Sequence, residues 1–120
     1  MADAFLERTI LAACPSFRPV WDAQRRGYAP GTEPSVADFF ATLRVHVVGL
    51  VMAGRIAEFA QAMRGIERLL GEADPVLADL LAEELVRPLA ASVHSEGLSP
   101  ALVAPHLGPR SQRIWRESRG

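Results

Sequence analysis

The stretch from Phe39 to Ala53, FFATLRVHVVGLVMA, is apolar nearly all the way round, and a helix of that kind must be covered by neighbours on several sides. Phe39, Leu43, Val47, Leu50 and Val51 form one stripe at helical spacing. Phe40, Val48 and Met52 widen it until only Arg44 and His46 interrupt the apolar surface. The expectation is a central helix with little surface in water. Its rival is a strand, because LRVHV alternates apolar and polar residues and Val45, Val47 and Val48 are β-branched. Helix is favoured by the length of the run, by Ser35 and Asp38 in capping-box spacing, and by the lack of a partner strand elsewhere. The run is too short for a bilayer core and carries Arg44 near its middle, so no membrane span is expected.

The remaining chain reads as amphipathic helices that could supply this cover. Asp3 precedes Phe5, Leu6, Ile10, Leu11 and Cys14, a helix of about ten residues that Pro15 ends. Ser16 is placed to cap a second helix, with Pro19 in its first turn, Val20 and Trp21 directed inward, and Gly27 closing it. Residues 28–34, YAPGTEP, form a loop. Gly54 marks a break, after which Ile56, Phe59, Met63, Ile66 and Leu70 define the clearest amphipathic helix, with Glu58, Gln61, Arg64 and Arg68 on its other face. Arg68 and Glu72 are spaced to pair.

Asp74 and Pro75 then suit an N-cap and N1, and Leu77, Leu80, Leu81, Leu85 and Leu89 form an inward face. Pro88 should kink or end that helix near Arg87, because its ring clashes with the carbonyl of Glu84. Ser99 and Pro100 begin a short turn that Pro105 limits, and Gly108 with Pro109 resets the chain. A last helix runs from about Pro109 to Ser118, anchored by Ile114 and Trp115, whose docking decides the order of Arg119 and Gly120.

The sequence therefore predicts an all-α, single-domain helical bundle over residues 1–120, with five to seven helices. Its main scaffold is an antiparallel hairpin of Ile56 to Leu70 against Leu77 to Leu89. The expected core is Phe5, Ile10, Trp21, Phe39, Leu43, Val47, Leu50, Phe59, Met63, Ile66, Leu77, Leu81, Leu85 and Trp115. A chain of 120 residues buries enough surface to need neither disulfide nor structural metal, and its single Cys14 can form no internal bridge. Met1 onward shows no charged segment followed by an apolar one, so a cytoplasmic location is expected. A net charge of -1 argues against bulk attraction to nucleic acid or anionic lipid. All thirteen basic residues are arginine, a bias of GC-rich coding that points to a bacterial source.

Chemistry is sparse. His46, His94 and His106 are the only histidines, and none has a second His or Cys four residues away, so no metal and no cofactor are expected. His46 on the apolar helix reads as a hydrogen-bonded, partly buried side chain, and Cys14 as a small buried hydrophobe. His94, Ser95 and Glu96 are adjacent and cannot form a triad by themselves. Glu83 and Glu84 border the packed face; for Glu84 an internal ion pair with Arg44, Arg55 or Arg87 is expected.

Three segments, FLERTILAACPSFRPVWD, GEADPVLADLLAEELVRPL and LGPRSQRIW, together resemble a family of small, uncharacterised, all-helical bacterial proteins with HEAT-like helical hairpins. Pro88 departs from a regular hairpin of that kind. Some proteins of this sort occur beside secreted polymorphic toxins, and the resemblance implies an immunity protein that binds a toxin. It brings no catalytic residues.

The functional expectation is accordingly a non-enzymatic protein-binding module with a protein partner. Glu67, Glu72, Asp74, Asp79, Glu83 and Glu84 concentrate negative charge that could steer a basic partner. The alternatives are nucleic-acid binding through Arg110, Arg113 and Arg116, or an enzyme whose site is assembled from distant residues. A pocket gathering Glu84, His46 and an arginine would favour the latter.

Overall fold

The computed structural model of the chain describes residues 4–119, with only the backbone of Arg119. The roles expected of Asp3, Gly120 and the Arg119 side chain lie outside the described residues. Among these residues there is no strand, and the regular elements are the helices α1 (Ala4–Ala13), α2 (Phe17–Arg26), α3 (Val36–Met52), α4 (Ile56–Glu72), α5 (Pro75–Leu81), α6 (Arg87–Ser95) and α7 (Pro109–Arg119). A π turn over Ala82–Val86 joins α5 to α6, and two short 3₁₀ turns precede α7.

Local sequence explains most of these boundaries. Ser35 Oγ accepts the Asp38 N–H at 3.0 Å and fixes the start of α3. The Asp38 carboxylate in turn accepts the Tyr28 hydroxyl at 2.7 Å, tying the preceding loop to the same helix end. Asp74 Oδ1 accepts the Leu77 N–H at 2.8 Å, and Pro75 follows in the first turn of α5. Gly54 has φ +77°, a left-handed conformation that a side chain would disfavour, and it turns α3 into α4.

Ser16 is different. It keeps helical backbone angles and makes no side-chain cap; its hydroxyl instead meets His46 Nε2 at 2.9 Å. The head of α2 is held by two turn bonds, Phe17 N–H to Cys14 carbonyl and Arg18 N–H to Pro15 carbonyl.

Helix α4 carries the clearest stripe, and Phe59, Ala62, Met63, Ile66 and Leu69 are all buried. It packs on α1, α3 and α7 as well as α5, so the expected hairpin is embedded among further helices. Helix α3 packs on α2, α4, the π turn and α6, burying Phe39, Phe40, Leu43, Val47, Val48, Leu50 and Val51. Its cover is incomplete: Val45 is 66% and Met52 57% exposed. These residues lie two turns apart on one side, which the described residues leave open to solvent.

Two members of the expected core sit elsewhere. Phe5 is at the surface, 36% exposed beneath the Arg68 guanidinium, while its neighbour Leu6 is fully buried. Leu77 is only half-buried at the edge of the cluster. In α2 the inward pair is Phe17 with Trp21, four residues apart, and Val20 points outward. Phe17 lies 5.5 Å from the Phe39 ring and Trp21 4.8 Å from it, both edge-on, so one aromatic group locks α2 onto α3.

Pro88 neither ends the helix nor stands at its irregularity. The wider turn precedes it, with the Arg87 N–H reaching back to the Ala82 carbonyl, and the helical path runs on to Ser95. An extra residue in that turn opens space for a proline ring that would otherwise press on the carbonyl of Glu84. Among the described residues no helix is long and apolar enough to cross a membrane.

Candidate functional site

The six acidic residues expected to face a partner are largely committed within the chain. Glu67 on α4 is only 15% exposed and binds the head of α7. Its Oε1 accepts the Ser111 N–H at 3.0 Å, and its Oε2 accepts the Arg110 N–H at 3.1 Å and the Arg110 guanidinium at 3.3 Å. Burial opposes ionisation of this carboxyl, but the Ser111 and Arg110 backbone donors outweigh it and hold the pKa below the ordinary range. A carboxylate at a helix N-terminus is favoured by the exposed N–H groups and the helix dipole. Gly108 permits the approach, since a Cβ there would collide with the Glu67 side chain.

Glu72 pairs with Arg68 at 3.4 Å, Glu83 with Arg87 at 2.9 Å, and Asp74 caps α5. Exposed Asp79 and half-buried Glu84 keep no such partner among the described residues. The ion pair expected of Glu84 is not made: Arg87 takes Glu83 and Glu117, and Arg55 takes Glu58. Arg87 is four residues from Glu83, the spacing at which helical side chains meet. Of the C-terminal arginines, Arg110 is drawn to Glu67, while Arg113 and Arg116 remain exposed on α7.

The groups that do converge are Cys14, Ser16 and His46. Cys14 Sγ lies 3.7 Å from Ser16 Oγ, which lies 2.9 Å from His46 Nε2. Thus His46 is hydrogen-bonded and half-buried, and Cys14 is buried, as their positions in the sequence imply. Burial lowers the His46 pKa, Glu58 opposing and Arg55 assisting, so the ring is neutral at pH 7. Burial raises the Cys14 pKa and keeps the thiol protonated.

A serine hydrogen-bonded to a neutral histidine has the first two parts of a nucleophilic site. The backbone at the head of α2 does not supply the stabilising part. The Phe17 and Arg18 N–H groups at the head of α2 are already used in turns, and Pro19 has none to offer an oxyanion. The cluster reads as a polar clasp between the start of α2 and the middle of α3. Among the described residues, no three His, Cys, Asp or Glu side chains are placed to hold a metal ion.

Beside this clasp runs a groove of about 620 Å³ between α2 and α3. It is lined by Val20 and Gln24 of α2, by Ala41, Val45, Gly49 and Leu50 of α3, and by Arg44 and Arg55. It gathers His46 with two arginines but not Glu84. A second groove of about 610 Å³ between α6 and α7 includes His94 and Trp115. His106 packs edge-on to Phe59 at 6.3 Å and belongs to neither.

The sequence profile of one family, described as a domain of unknown function (DUF7674), matches residues 7–120. No curated protein and no solved structure matches the chain. The match spans nearly the whole sequence and the all-helical domain, and the chain therefore belongs to the DUF7674 family.

Proposed function

We propose that this chain is a non-enzymatic protein-binding module of the bacterial cytoplasm, serving as an immunity protein that captures a toxin. The observation that carries the binding reading is the open side of α3. A helix that is buried on every other side leaves Val45 two-thirds exposed in a groove with an apolar floor. Exposed apolar surface gathered in a concavity is what a partner must desolvate to bind tightly. The Ser16–His46 pair lacks free backbone donors for a developing oxyanion, which weighs against acyl-transfer chemistry. The immunity role rests on the resemblance of the N-terminal, hairpin and C-terminal segments to bacterial helical proteins found beside toxins.

The test is affinity purification of the tagged chain from its native host, followed by co-expression of the recovered partner with and without the chain. A protein partner recovered in near-equal amount, whose toxicity the chain suppresses, supports the reading. Recovery with nucleic acid alone, lost on Arg113→Ala with Arg116→Ala, overturns it.

A further inference from the structure

Ala41, Val45, Gly49 and Ala53 stand four residues apart along α3 and line the groove with short side chains. The strip is about 18 Å long at the helical rise. Gly49 is its most informative member. Glycine is disfavoured in a helix interior, where its one structural gain is to let another backbone or side chain come close. Gly65 has a packing reason: a Cβ there would lie 2.5 Å from the Ala13 Cβ, so α1 and α4 approach each other across it. Gly49 has none among the described residues. A Cβ added to it meets nothing within 4 Å, and its φ is not positive.

We infer that Gly49 is the point of closest approach for an acidic amphipathic helix of a partner protein, lying along α3 in this groove. The inference rests on the binding-module reading and names the element that is bound. Helix axes approach most closely where the side chains between them are small, and the groove offers three such residues, Ala41, Gly49 and Ala53. Val20 and Val45, both exposed, give the incoming helix an apolar face to bury.

The sign of the partner follows from the charged residues of the lining. Arg44 and Arg55 line the groove and no carboxylate does. Arg55 is shared with Glu58, but Arg44 has no ion-pair or hydrogen-bond partner among the described residues. Acidic side chains on the outer edge of a bound helix would meet these guanidinium groups. A second copy of the chain fits less well. A two-fold contact sets the same patch against itself and would bring the uncommitted Arg44 cations together.

A photo-crosslinking side chain at Val45 of the full chain, expressed in the native host, identifies the occupant by mass spectrometry of the crosslinked peptide. The same group at Asp79 on α5 is the comparison. The expected product at position 45 is a partner-protein segment of net negative charge with apolar residues three and four apart. A synthetic peptide of that segment should bind the wild-type chain at least tenfold more tightly than Gly49→Leu or Arg44→Glu, and more weakly as salt rises.

Gly49→Ala should raise Tm by about 2–5 °C, and an unchanged or raised Tm for Gly49→Leu separates lost binding from lost folding. Crosslinks to a second copy, to lipid, to nucleic acid or to a basic segment overturn the inference, as does a peptide indifferent to Gly49→Leu. A partner captured only from position 79 overturns it and leaves the binding-module reading standing. Capture at neither position overturns both.

Discussion

Glu67 and Ser111, forty-four residues apart, are joined by a 3.0 Å bond from the Ser111 N–H to the Glu67 carboxylate. Helix α4 thereby supplies the N-terminal cap that the Gly108–Pro109 sequence of α7 lacks. Glu67→Ala should cost about 1–2 kcal/mol in urea unfolding, the range for charged hydrogen bonds and helix caps. Because the folded-state pKa is lowered, this contribution is present above the ordinary glutamate pKa and is lost as pH falls through the folded value. The stability difference between wild type and Glu67→Gln should therefore shrink on acidification below about pH 4. A difference unchanged from pH 7 to pH 3 would remove Glu67 from the cap.

His46 should impose acid sensitivity of the same sign, at a higher pH. Burial lowers its folded pKa, so the unfolded chain binds the proton first as pH drops. Stability should then fall as pH goes below about 6.5 and level off once the folded ring titrates. His46→Gln, which preserves a partner for Ser16, should flatten this part of the profile. The measurement is the urea midpoint between pH 7.5 and pH 5 in both proteins, and parallel profiles would count against the assignment.

Phe59 is fully buried in α4 and packs beside His106. Phe59→Ala should lose about 3–5 kcal/mol, the cost of a large cavity in a close-packed core. A loss below about 1 kcal/mol would mean that α1, α3 and α7 can collapse into the space.

Two glycines in helix interiors should respond in opposite ways to alanine. Gly49→Ala should gain about 0.5–1 kcal/mol, because only the helix preference changes. Gly65→Ala should lose about 1–3 kcal/mol, because overpacking against Ala13 outweighs the same preference. Paired thermal melts read both signs at once, and equal signs would contradict the packing described for α1 and α4.

The parts of this fold that depend on near neighbours were legible in the chain. Ser35 and Asp74 act as caps where their spacing predicts, and the stripe of Phe59, Met63 and Ile66 faces inward. The misreadings share one cause, which is that local pattern cannot count tertiary neighbours. Val20 and Trp21 are adjacent and about 100° apart on a helix, so a single contact face could take only one; Phe17 made the better pair with Trp21.

The open side of α3 was hidden because an apolar strip reads alike whether a helix of the same chain or nothing covers it. The four-residue recurrence of Ala41, Val45, Gly49 and Ala53 was its available signal. Glu67 gave none, since an acidic residue on an amphipathic helix looks solvated until a distant helix end arrives beside it.

The π turn at Ala82–Val86 also sets a phase. In a regular α-helix, residues taken four at a time advance by about 40° per step, so Leu81, Leu85, Leu89 and Val93 would wind away from a single core. One wider turn unwinds part of that drift, and all four are buried. The surplus residue is thus a vernier between two halves of one rod. Deleting Ala82 would let the rod close into uniform α-helix with Leu89 and Val93 still facing the core, whereas straightening the turn at full length would swing everything beyond it by about 100°, carrying Leu89 and Val93 off the core and Arg87 away from Glu117.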